Sequence, residues 1–211
     1  MVKKVGKTNK NDARTRILDA ADAVFVRRGI DGARMQDIAD RARVNKALLH
    51  YYFRSKAGLA QAVWLRIASS FVPGIFQIVA SDLPLDDKID RLVDSYHAML
   101  MAHPYLLVFT VSEAARRPAL LRDFYSGERR RAARRMFGKL SQQIDEQVKA
   151  GNMAPMSAEQ FFVTLVGSCV FPFAMRPVLS AVMGLGPAQF RRFMEQRRTE
   201  LPAFLKKALR P

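Results

Sequence analysis

Between residues 29 and 56 the chain reads GIDGARMQDIADRARVNKALLHYYFRSK, and few folds accept such a stretch. Apolar residues recur at helical spacing on both sides of a polar turn: Met35, Ile38, Ala39 and Ala42 before it, Leu49 and Phe53 after it. The spacing predicts one short helix over about 34–42 and a second over about 45–53. The small Ala39 lets the two cross closely. The second helix hides Leu49 and Phe53 and presents Lys46, His50, Tyr51 and Tyr52. Such a face is suited to a polar, anionic partner, and the pair has the layout of a helix-turn-helix that enters a DNA major groove.

Upstream, a helix is expected from Asn11, a good N-cap, to Arg28. Ile17, Ala20, Ala21, Val24 and Phe25 form its inner face, and Gly29 followed by Ile30 forms its stop. Lys3, Lys4, Lys7 and Lys10 lie in a basic leader over 1–10. Ser55 caps a fourth helix that buries Leu59, Val63 and Trp64 and is kinked or ended by Pro73. No later segment shows strand alternation between hairpin turns. Helices are expected from about Pro84 to Ala102, from Pro104 onward, from Pro118 to Ala150, from Ser157 to a break near Pro172 and Pro177, and from Pro187 to the end. The fold class is therefore all-α: a three-helix DNA-binding domain over 11–56 and a larger helical domain over 57–211.

Composition narrows the partners. With 49% apolar residues among 211, the chain can bury a substantial core. A formal net charge of +16 favours an anionic partner, nucleic acid first and an anionic membrane second. The charge is spread along the chain and does not by itself locate that surface. Cys169 is the only cysteine, which excludes an internal disulfide and fits a reducing compartment. The leader has no apolar segment behind it, and the most apolar run, over 161–175, falls short of the ~18–20 residues of a membrane span. A soluble cytoplasmic protein without a membrane partner is the expectation. Three scattered histidines, no metal-ligand spacing, no phosphate-cradling glycine loop and no Ser/Cys–His–acid set argue against an enzyme, a cofactor or a metal.

Residues 15–64 resemble the N-terminal domain of TetR-type (tetracycline-repressor-like) transcriptional regulators. The likeness is carried by Ala20-Ala21 with Phe25 before Gly29, by Asp37-Ile38-Ala39, by Val44-Asn45-Lys46, by Leu49 to Phe53, and by Ser55-Lys56 with Leu59. The resemblance implies a homodimer that reads a palindromic double-stranded operator, a C-terminal domain that binds a small-molecule effector, and dimerisation through the last two helices. It places Lys46, Ala47, His50 and Tyr51 toward bases, with Gln36 as a further base contact, and Tyr52 and Lys56 on phosphates. The chemistry agrees: lysine can donate to guanine O6 and N7, glutamine can bridge adenine, and alanine can meet a thymine methyl. Three departures stand out. Arg43 occupies the turn position where the family usually has glycine, Ala33 replaces a capping Thr or Ser, and Leu48 and His50 replace Thr and Tyr.

Tyr96, Met99, Phe109 and Phe124, with Glu113, His97 and His103 as polar orienters, are candidates to line an effector site, although such residues also build ordinary core. Phe161, Leu165, Cys169, Phe190, Phe193, Met194 and Phe204 are expected to form a four-helix interface with a partner copy. Apolar neighbours should leave the Cys169 thiol inert. The basic run Arg129-Arg130-Arg131 with Arg134 and Arg135, beside Glu128, is either a solvated face or a second anion site. The function these features imply is a ligand-responsive, homodimeric DNA-binding regulator, a repressor by preference. The alternative is an architectural DNA-binding dimer without small-molecule control.

Overall fold

The structure, a computed structural model, describes the backbone of residues 6–211 and the side chains from residue 12. Lys3 and Lys4 of the expected leader lie outside the described residues. The described residues form eleven helices and no strand. They fall into two compact units that divide between Ser70 and Phe71.

In the N-terminal unit, α1 spans Gly6–Gly32, so Asn11 lies inside the helix rather than capping it. Helical dihedrals break at Gly29, where φ is 67°. This is the stop expected there, because a positive φ costs glycine nothing. Ile17, Ala20, Ala21, Val24 and Phe25 are all buried. Helix α2 (Met35–Ala42) buries Ile38, Ala39 and Ala42, with Met35 half-buried. Its N-cap is Arg34, one residue beyond the position where Ala33 was expected to cost a cap, and Arg34 makes no side-chain cap bond. Helix α3 (Lys46–Tyr52) follows after a three-residue turn.

That turn is closed by two backbone bonds: the Arg43 N–H donates to Asp40 O (3.1 Å) and the Val44 N–H to Ala39 O (3.0 Å). These are the two bonds of a Schellman stop, which requires a left-handed residue. Arg43 supplies it at φ 54°, ψ 48°. An L-residue in that region is strained by ~1–2 kcal/mol, partly offset by the larger entropy glycine loses on folding. Arg43→Gly should therefore raise the stability of this unit by about 0.5–1 kcal/mol, read as a higher urea midpoint at unchanged slope.

Helix α4 spans Lys56–Ala80, and the Ser55 hydroxyl accepts from the Gly58 N–H at 3.1 Å as its cap. The helix passes through Pro73 without ending, so of the two outcomes expected there, a kink or an end, the end does not occur. The division into units also falls inside it rather than at residue 56, because Leu59, Ala60, Val63 and Trp64 are buried residues of the N-terminal unit. Further along, Ile75 and Val79 belong to the core of the second unit. A helix that lends each end to a different core carries apolar residues in both halves. By length and composition α4 could cross a membrane, a property the sequence reading had not assigned to any segment.

The C-terminal unit adds α5 (Leu85–Ala102), α6 (Tyr105–Arg116), α7 (Pro118–Phe124), α8 (Gly127–Lys149), α9 (Ala158–Ala174), α10 (Arg176–Met183) and α11 (Pro187–Ala208). The single helix expected from Pro118 to Ala150 is two, parted at Tyr125 and Ser126, with Gly127 at φ 54°. Ile89, Leu92 and Tyr96 of α5, Met136, Leu140 and Ile144 of α8, and Leu201 and Leu205 of α11 share one core with α9. Lys88 is buried inside this unit, and its Nζ donates to Val79 O (2.7 Å) and to Gln143 Oε1 (2.6 Å), tying α4, α5 and α8 together. Helix α6 is apolar nearly all round from Tyr105 to Val111, yet it leaves Val108 and Val111 exposed.

Candidate nucleic-acid interface

Three local devices position α3. The Asn45 side chain accepts from the Leu48 N–H at 2.7 Å, which fixes the first turn. Leu49 is fully buried and Phe53 is nearly so, which sets the rotation of the helix about its axis. The Arg14 guanidinium lies over the Phe53 ring, 5.7 Å from its centre. An ion pair between Arg28 and Asp37 joins α1 to α2.

With the helix so rotated, Lys46, Ala47 and His50 are exposed and Tyr51 keeps 69% of its surface open. These four recur at positions i, i+1, i+4 and i+5, which is one face of a helix. Tyr52 is half-buried, its ring 5.4 Å from Tyr51 in an edge arrangement. Gln36 is exposed on α2 and donates to Asp40 Oδ1 at 2.7 Å. Arg43 and Arg54, exposed at the two ends of α3, were not singled out from the sequence as DNA contacts. Their only signal there was charge next to a helix end.

Lys56 differs from its sequence assignment. Its Nζ donates to Asp31 O (2.7 Å) and Ala33 O (3.1 Å), so two of its three N–H groups bind the link between α1 and α2. The side chain is half-buried. Lys56→Ala should lower the thermal stability of the free protein by about 2 kcal/mol, because it removes two charge-assisted bonds. A melt without DNA decides the point: a loss of duplex binding with no change in the melt would return Lys56 to a phosphate role alone.

In the C-terminal unit, Tyr96, Phe109, Glu113 and Phe124 are buried and Met99 is half-buried. Met99 packs against the same core as Tyr96. Tyr96 belongs to the main core and meets Phe71 edge-on at 5.2 Å, where burial raises its phenol pKa. Glu113 lies 3.6 Å from Arg117 one turn on, and Phe124 lies under Arg129. A cleft of about 340 Å³ in the same unit, between α4 and α8, is lined by none of these five. Of the expected orienters, His97 is buried 3.7 Å from Glu195, and His103 faces the Tyr105 ring.

The expected interface set also needs correction. Phe161, Leu165, Cys169, Phe190 and Met194 are buried inside their own chain, and Phe193 is half-buried against the same core. Only Phe204 of the seven is exposed, at 67%. On these last helices the open large apolar residues are Val163 and Phe171 on α9, Val178, Val182 and Met183 on α10, and Phe204 on α11. Burial pushes the Cys169 thiol up to about 12, in line with the inert thiol expected.

A three-residue Schellman turn, a capped short helix and an exposed polar face above a buried anchor define the fold class of helix-turn-helix DNA-binding proteins. Residues 17–63 match the family described as bacterial regulatory proteins, tetR family. That match covers the helix-turn-helix head, and the curated relatives that share it are transcriptional regulators. It is 38% identical over 94 residues to the HTH-type transcriptional repressor SCO4008 of Streptomyces coelicolor, covering 44% of this chain and 45% of that one. It is 32% identical over 102 residues to the HTH-type transcriptional activator FasR of Mycolicibacterium smegmatis, covering 47% of each. The chain thus spans about half the length of the curated relatives it matches. Among solved structures, a TetR/AcrR-family regulator from Thermobifida fusca aligns over 91% of this chain and 97% of its own, with TM-score 0.62 and 20% identity. The regulator SCO4942 of Streptomyces coelicolor aligns over 94% and 99%, with TM-score 0.59 and 22% identity. These two likenesses extend the shared fold over nearly the whole chain.

Proposed function

We propose that the protein is a homodimeric transcriptional repressor that works in the cytoplasm, binds a palindromic operator and is released from it by a small molecule. The observation that carries this reading is the rotation of α3: Leu49 and Phe53 point inward, and Lys46, Ala47, His50 and Tyr51 remain open to base edges. In this reading Tyr52, Arg43 and Arg54 contact phosphates, and Gln36 adds a base contact from α2. The curated relatives include both a repressor and an activator, so the sign of regulation is part of the proposal.

Two copies would present their α3 helices to successive major grooves, with half-sites about 34–36 Å apart or a multiple of it. The exposed Val163, Phe171 and Phe204 favour pairing through the outer faces of α9 and α11. An effector that prefers a dimer with a different α3 spacing would weaken all DNA contacts together. The open cleft between α4 and α8 favours this reading over a purely architectural dimer, which needs no ligand room.

Selection of bound duplexes from a random pool tests the proposal, followed by release with a panel of metabolites. A two-fold symmetric consensus and release by at least one compound are the expected results. Binding without sequence preference at moderate salt would overturn the reading.

A further inference from the structure

We propose that the cleft between the second half of α4 and the start of α8 binds an amphipathic anion, an apolar chain or ring system ending in a carboxylate. The proposal rests on the ligand-responsive reading above and narrows the chemistry of the effector. On the α4 side the walls are Val72, Pro73, Phe76 and Ala80, and Ala132 of α8 faces them. The volume of about 340 Å³ equals roughly eleven waters' share of the liquid, within the ~300–1,000 Å³ usual for small-molecule sites.

The charged part of the lining is one-sided. It consists of Arg129, Arg135 and Glu128, all from the first turns of α8, whereas α4 contributes only the neutral Gln77. Arg129 is held in place: its guanidinium lies 4.3 Å from the centre of the Phe124 ring, and it donates to Phe124 O at 3.3 Å. The Glu128 carboxylate accepts from Arg135 at 2.6 Å and from Arg131 at 2.8 Å. Glu128 thus already pairs Arg135 at the cleft, while Arg131 lies outside the lining. With Arg130 and Arg134, the start of α8 carries cationic groups well in excess of that single acid.

These two features select a ligand together. A neutral apolar molecule would fill the walls and leave the arginines to water. A small inorganic anion would meet the arginines and leave the walls wet. A molecule with an apolar body and a planar carboxylate uses both, since a carboxylate accepts two parallel N–H bonds from a guanidinium. Arg135 and Glu128 are each about two-thirds exposed. Solvent screens charges so exposed, so affinity comes mainly from the walls and selectivity from the arginines.

The test is calorimetric titration of the full chain with decanoate, decanol and inorganic phosphate, at concentrations below micelle formation. Decanoate should bind roughly tenfold tighter than decanol, and phosphate should not compete with it. Arg135→Gln should cut decanoate affinity several-fold and leave decanol unchanged. Ala132→Phe should abolish both by filling the cleft, with a thermal melt showing that the variant is folded. Equal affinity for decanol and decanoate, full competition by phosphate, or no binding of decanoate would each overturn the proposal. Duplex selection on the same preparations separates the two readings. Selection without decanoate binding overturns only the cleft assignment, and decanoate binding without selection overturns only the regulator.

Discussion

Leu49→Ala should unfold the N-terminal unit at moderate denaturant and abolish duplex binding with it. Leu49 is fully buried, and truncating such a leucine costs ~2–5 kcal/mol through lost transfer energy and the cavity left behind. That is a large share of the ~5–15 kcal/mol that holds a typical domain folded. Helix α3 is only seven residues long, too short to persist in water without its packed side. Urea melts followed by a probe in this unit, alongside duplex titration, provide the measurement. A variant with an unshifted melt and intact duplex binding would show that α3 is held by contacts other than this anchor.

Lys46→Ala should act differently, leaving the melt unchanged while relaxing base preference. Lys46 is exposed on the first turn of α3, so nothing in the folded protein depends on its ammonium for packing. Its loss should cost ~1–3 kcal/mol on the selected duplex and far less on unrelated ones. The slope of log affinity against log salt separates the two roles a lysine can have: a phosphate contact lowers it by about one unit, whereas a base contact leaves it nearly unaltered. Equal losses on every duplex, with a reduced slope, would move Lys46 from base reading to the backbone.

The head was largely legible because its signals are local and agree with one another. Ser55 caps as expected, and the spacing of Ile38, Ala39, Ala42 and Leu49 allows one rotation for each helix. Arg43 was read as a residue in a glycine position, and it adopts the left-handed conformation that position demands. Lys56 was less legible, since its two acceptors are carbonyls more than twenty residues upstream that only folding brings near.

In the C-terminal unit, periodicity told which face of a helix is hidden but not what hides it. Phe161, Leu165 and Phe190 look the same in sequence whether a second copy or their own chain covers them, and here their own chain does. The break between α7 and α8 was missed because Ser126-Gly127 lies between two segments that both favour helix; the extended backbone of Ser126 and the positive φ of Gly127 mark it. Pro73 left two outcomes open in the sequence, a kink or an end, and the helix does not end there. A proline removes one backbone bond, and the packing of Ile75 and Val79 beyond it keeps the helix going.

The sole thiol of the chain also offers a built-in clock. Cys169 sits inside the C-terminal core and its proton is held tightly, so a thiol-reactive dye can modify it only when that core transiently opens. The labelling rate of the unaltered chain therefore counts those openings, and a compound that fastens the unit should slow the reaction without any engineered reporter.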